Sequence, residues 1–207
     1  MCQLHDYFRQ IAAIHSDVLN TLAQHWSSQE ALYTAILQQR DDAIAQTTHI
    51  QRPIPEPKTP TRGVGLNTIG LLSDRLTILV IKEWFLRHHH HDNDRATVLY
   101  ETSTLDIIDT LTVAFPAKGA LNVKLTLHQP TIHVTRWEEA FYDLFATNVL
   151  IWHGQEICYV NTGDASIEQL QNYMRWVPKL NIQRDELIQR CEQLYWQASR
   201  ERVEYLI

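Results

Sequence analysis

A chain of 207 residues, 44% hydrophobic and 20% charged, is long enough to bury a core and too apolar for wholesale disorder. Its net charge of −6 and pI near 6.0 give no general drive toward nucleic acid or anionic lipid, and its Lys and Arg form no basic stripe. Cys2, Cys158 and Cys191 are widely spaced with no Cys-x-x-Cys, which argues against a disulfide framework or zinc ribbon and fits reduced thiols in a cytoplasm.

Residues 1–52 read as an N-terminal helical arm. The start of the chain has an acid at Asp6 and no apolar run, so no secretory signal is expected there. Leu4, Phe8, Ile11, Val18, Leu22 and Trp26 share one helical face. Ser27 or Ser28 can cap a second helix carrying Leu32, Ile36 and Ile44. His5, His15 and His25 recur every ten residues, but ten residues turn a helix by about 1000°, so they do not share a face. Pro53, Pro55, Pro57 and Pro60 then remove amide donors and fix φ, and Gly63 and Gly65 follow, so residues 53–65 read as an extended linker.

Residues 66–207 read as the bundle core. Thr68–Leu86 is dense in large apolar residues and predicts a buried helix, capped by Asn67 or Thr68 and ending near Asn93, roughly 35 Å long. Asp74, Arg75, Lys82 and Glu83 divide it, so no membrane span is expected. A further helix is expected from about Ala96 to Val113, stopped by Pro116 and Gly119. Leu121–Leu127 alternates like a strand and Ile132–Val134 could partner it, so residues 121–134 hold a short extended or hairpin excursion, or a short helix. Thr135 and Glu138 are spaced as a capping box opening a helix from Trp137 to about Asn161. Asp164 or Ser166 caps the next, which Pro178 should kink or interrupt. In the last helix Leu187, Cys191, Leu194 and Ala198 form a seam that needs a partner helix. The architecture these elements predict is an all-α bundle of long antiparallel helices.

Few residues point to chemistry. Asp74 and Arg75 sit in an apolar helix, and unpaired buried charge is costly, so each must find a partner or reach a rim. Adjacent helix residues point about 100° apart and do not pair with each other. Structural ion pairs to another helix are the plainer reading; a polar pocket is the functional one. His153 and Glu156, at i and i+3, share a helix face and could act as base and orienter, or hold a divalent metal with a third ligand such as Asp74. No cofactor is otherwise implied. His88–His91 fans around a helix end and reads as an exposed block. No dinucleotide fingerprint, Walker lysine loop, nucleophile elbow or His-Glu-x-x-His is present.

Three runs, Ile69–Leu79, Asn148–Glu156 and Leu180–Ile188, together resemble the motifs of a bacterial all-helical domain-of-unknown-function family, in the same order. The resemblance covers roughly Leu66 to Leu194; Gln155 and Glu156 stand where Glu and Asp are usual, and Pro178 stands where the family's helix continues. Members of that family tend to be encoded beside glycosyltransferase and surface-polysaccharide genes. The resemblance implies an all-α fold in a bacterial cytoplasm and no particular reaction.

Two function classes follow. The first is a non-enzymatic accessory or scaffold protein that self-associates or binds a protein partner through its helices, linked to surface-polysaccharide synthesis. The second is an enzyme whose pocket joins Asp74, Arg75, His153 and Glu156, or a phosphosugar-binding or nucleotide-sugar-binding module using Arg75 and Arg184.

Overall fold

The computed structural model describes residues 2–52, 69–89, 98, 102–105, 133–159 and 165–204, and every regular element among them is helical. Helix α1 spans Cys2–Leu22 and is followed by a 3-10 turn at Ala23–His25. Helices α2 (Gln29–His49), α3 (Ile69–His89), α4 (Trp137–Tyr159) and α5 (Ile167–Glu204) complete the order. The protein is an all-α helical bundle. The linker at 53–65 and most of the excursion expected at 121–134 lie outside the described residues, as does most of the helix expected at 96–113. No described helix is long and apolar enough to cross a membrane.

Helix α4 is apolar on every side, and such a helix has to be surrounded. Ala140, Phe141, Leu144, Phe145 and Val149 are all buried. Alongside it, in the same direction, runs α1: Phe8 meets Trp137 at 6.2 Å between ring centroids, His15 meets Phe145 at 4.2 Å and Trp26 meets His153 at 5.6 Å. Helix α2 returns antiparallel, with Tyr142 Oη donating to the Ile36 carbonyl at 2.9 Å and Arg40 Nε donating to Asp143 Oδ1 at 2.8 Å. On another side lies α5, also antiparallel, with Tyr195 against Trp137 at 5.6 Å and Tyr173 against Gly154. Residues 2–52 therefore pack directly on the rest: Phe8, Ile11, Leu19 and Leu32 share one buried cluster with α3, α4 and α5.

The helix starts follow local chemistry. Ser28 Oγ accepts from Ala31 N at 3.3 Å, and Ser166 with Gln169 forms a reciprocal box of 3.2 and 2.8 Å. The start of α4 differs from expectation by one residue. Arg136 occupies the cap position, and Glu139, three residues on, accepts from the Thr135 and Arg136 amides at 3.1 and 3.2 Å; Glu138 instead lies 3.8 Å from Arg52.

Pro178 does not interrupt its helix. Helix α5 runs for 38 residues through it. The carbonyl that loses its amide donor belongs to Met174, and both Met174 and Pro178 lie on the exposed side of the helix. Asn181 Nδ2 also donates to the neighbouring Val177 carbonyl at 3.2 Å.

At its N-terminus α3 meets α5 at very close range. The Gly70 amide donates to Glu192 Oε2 at 3.0 Å, and a Cβ on Gly70 would fall inside the Ile188 carbonyl oxygen. The obstacle is backbone, which cannot swing aside as a side chain can. Gly70→Ala is expected to lower stability by about 2 kcal/mol, overpacking outweighing the helix-propensity gain. A urea unfolding midpoint equal to or above that of the wild type would show that the helices do not approach this closely.

Candidate functional site

The structure puts the four candidate residues in three different settings. Asp74 is buried, its side chain only 7% exposed, where α3, α4 and α5 meet. Arg184 of α5 grips it with both arms of the guanidinium, Nε to Oδ1 at 2.7 Å and Nη2 to Oδ2 at 2.5 Å. Asn148 Nδ2 from α4 donates to Asp74 Oδ1 at 3.0 Å and to Thr77 Oγ1 at 2.8 Å. Thr77 Oγ1 donates in turn to the Asp74 carbonyl at 2.8 Å. Hydrogen bonding to Asp74 raises the Arg184 guanidinium further above its ordinary value, against the opposing effect of burial. Arg75, one residue along the helix, is exposed and stands outside this cluster.

This arrangement satisfies charge rather than offering it. Both carboxylate oxygens of Asp74 already accept hydrogen bonds from fixed donors. Arginine does not release its proton in proteins, so the pair cannot work as acid and base. What the cluster does is tie three helices together, in the interhelical ion pair that the buried charge called for.

His153 and Glu156 act on a single residue, Trp26, in the turn between α1 and α2. His153 is buried, and its Nε2 lies 2.8 Å from the Trp26 carbonyl. A carbonyl only accepts, so Nε2 carries the proton, and Nδ1 is left as a buried lone pair with no hydrogen-bond partner. Glu156 Oε2 accepts from the Trp26 indole Nε1 at 2.6 Å. Burial pushes the His153 imidazole below its ordinary value, with the Trp26 hydrogen bond working the other way. The i, i+3 spacing thus forms a clasp that holds the α1–α2 turn onto α4. Trp84 and Phe85 of α3 pack around the same indole, at 5.6 and 6.3 Å between ring centroids.

A metal bound by His153 and Glu156 would need a third ligand. Among the described residues no group of three or more His, Cys, Asp or Glu side chains is placed to hold one. Asp74, the suggested third ligand, is committed to Arg184 and Asn148. Of the histidine block, His88 is exposed and lies 4.7 Å from Trp84, ring to ring, while His90 and His91 fall outside the described residues.

Three participants were not singled out by sequence reasoning. Asn148 and Thr77 fall within the runs that carry the resemblance, but as polar residues of ordinary type on apolar helices they gave no chemical signal of their own. Trp26 did give one, because a core indole carries an N–H that needs an acceptor when buried. His15 is a fourth residue of note: fully buried, near-parallel to Phe145, with an unpartnered Nδ1. Burial lowers its pKa to about 3. Cys158 and Cys191 are free thiols, and burial raises both above the ordinary thiol value.

No protein-family model matches the chain, and comparison with curated proteins and with solved structures returns no match.

Proposed function

We propose that the protein is a non-enzymatic helical scaffold or accessory module that works through an exposed helix surface in a bacterial cytoplasm, serving surface-polysaccharide synthesis. The observation that carries this reading is on α5. Ile167, Met174 and Ile182 are 76%, 70% and 44% exposed. At about 100° per residue they fall within an arc of roughly 80°, two turns apart, so they point outward on one side of the helix with Gln171 between the first two. A flanking face of the same helix packs on α4 through Tyr173 and Val177. Apolar side chains exposed on one side of a docked helix make the kind of surface that a second helix covers. Asp74, His153 and Glu156, which an active site would have used, are engaged in contacts between elements of the fold, which also favours a surface role.

Sedimentation velocity and affinity recovery from a bacterial host, run on wild type and Met174→Glu, test this. Met174 is exposed, so the substitution leaves the core alone. The expected result is self-association, or recovery of a polysaccharide-synthesis glycosyltransferase, that Met174→Glu abolishes. A strictly monomeric wild-type protein that recovers nothing would overturn the reading.

A further inference from the structure

Away from the α5 surface, α1 and α3 leave a cleft of about 270 Å³ between them. From α1 it is lined by Arg9, Ala12, Ala13 and Ser16, spaced i, i+3, i+4 and i+7 on one face. From α3 come Glu83, Trp84 and Arg87 among others, and Thr104 lines it as well. The hollow has a cause in the sequence. Interiors are close-packed, and a helix seam is normally filled by large apolar side chains at such positions. Here two adjacent alanines face the opposing helix, and their methyl groups leave the space unfilled.

Among the described residues that line the cleft, the charges do not cancel. Arg87 Nη2 donates to Glu83 Oε1 at 2.8 Å, and Thr104 Oγ1 lies 3.5 Å from Glu83 Oε2. Arg9 is exposed and has no ion-pair partner among the described residues. Among the described lining residues, an apolar floor, two hydroxyls and one guanidinium without an ion-pair partner therefore sit on a protein whose net charge is −6. A carboxylate or phosphate matches the planar donor fork of an arginine. The volume lies just below the roughly 300–1,000 Å³ of pockets for drug-sized ligands, which suits a single ring with its acidic group rather than a nucleotide.

We infer that this cleft binds a small organic anion, a carboxylate or phosphate monoester on an apolar body, with Arg9 taking the acidic group and Ala12, Ala13 and Trp84 taking the body. The site is independent of the α5 surface and of any role that surface has.

Isothermal titration calorimetry on the full chain tests it with four probes: benzoate, phenyl phosphate, inorganic phosphate and benzyl alcohol. Saturable binding of benzoate or phenyl phosphate is expected, with a Kd of about 1 mM or tighter. Whichever of the two binds more tightly identifies the acidic group. Inorganic phosphate lacks the body and benzyl alcohol lacks the charge, so both should bind more weakly. Arg9→Gln should weaken the aromatic anion about tenfold, the effect of one charge-assisted hydrogen bond. Ala13→Leu should fill the cleft and abolish binding. Arg9 and Ala13 are both exposed, and unchanged unfolding midpoints would confirm that the variants keep the fold. The inference is overturned if neither aromatic anion saturates, if benzyl alcohol or inorganic phosphate binds as tightly, or if both variants bind like the wild type.

Discussion

Asp74→Ala is expected to cost about 3–5 kcal/mol of folding stability, the range for removing one partner of a buried ion pair. The loss has three parts. Arg184 keeps a charge that no longer has its counterion, Asn148 loses an acceptor, and the α3–α4–α5 junction loses the bridge that Asp74 makes. The Arg184 side chain is 27% exposed, so water can reach part of the orphaned guanidinium, which places the expected value nearer the lower end. A second variant separates charge from packing. Asp74→Leu combined with Arg184→Met removes both charges together, and its loss should be well below the sum of the two single losses. Urea unfolding of wild type, Asp74→Leu, Arg184→Met and the double variant supplies the double-mutant cycle, with Asp74→Ala measured beside them. A coupling energy near zero, or an Asp74→Ala protein within about 0.5 kcal/mol of wild type, would show that the cluster does not hold the helices together.

Acid should weaken the fold well before general acid denaturation sets in. His15 has a folded pKa of about 3, against an ordinary value of 6.5. Below pH 6.5 the unfolded chain takes up a proton that the folded chain refuses. Stability is therefore full above about pH 6.5, falls as pH falls, and stops falling from this group near pH 3. At about 1.36 kcal/mol per unit, the loss between pH 6.5 and pH 5 is roughly 2 kcal/mol from His15 alone. His153, also lowered by burial, adds to it in the same direction. His15→Met removes the titrating group and the unpartnered Nδ1 while keeping a side chain of similar size. It should be at least as stable as wild type at pH 7 and should lose much of the decline toward pH 5. Equal pH slopes for the two proteins would exclude His15 as the source.

His15 also illustrates what periodicity can and cannot reveal. The apolar face of α1 holds Leu4, Phe8, Ile11, Val18 and Leu22, and the vacant step in that series is position 15. Its burial is readable from that gap, whereas counting histidines at ten-residue intervals hides it. The two carboxylates after Trp137 offer a similar case. Both fit a capping role by composition, and only the cap position at Arg136, ahead of α4, selects Glu139 over Glu138. Of the two outcomes expected at Pro178, an interruption is not seen, because a proline on the exposed side of a helix costs less than one in its buried interior.

Read alone, the residues marked out the all-α class, the helices that the structure describes at Cys2–Leu22, Gln29–His49, Ile69–His89 and Trp137–Tyr159, the caps at Ser28 and Ser166, and the need for Asp74 to find a partner. Those features arise from interactions within a few residues along the chain, between i and i+4, and they leave periodic marks. Tertiary structure alone decided which partner each polar residue met. Asp74 and Arg184 are separated by 110 residues and Trp26 and Glu156 by 130, and such pairings leave no local periodic mark. Of the residues flagged as a single pocket, Asp74 became a tie between helices, His153 and Glu156 became a clasp on Trp26, and Arg75 was left at the surface. The physical reason is that helix packing, which sets the relative positions of faces far apart in sequence, also sets which donors reach which acceptors.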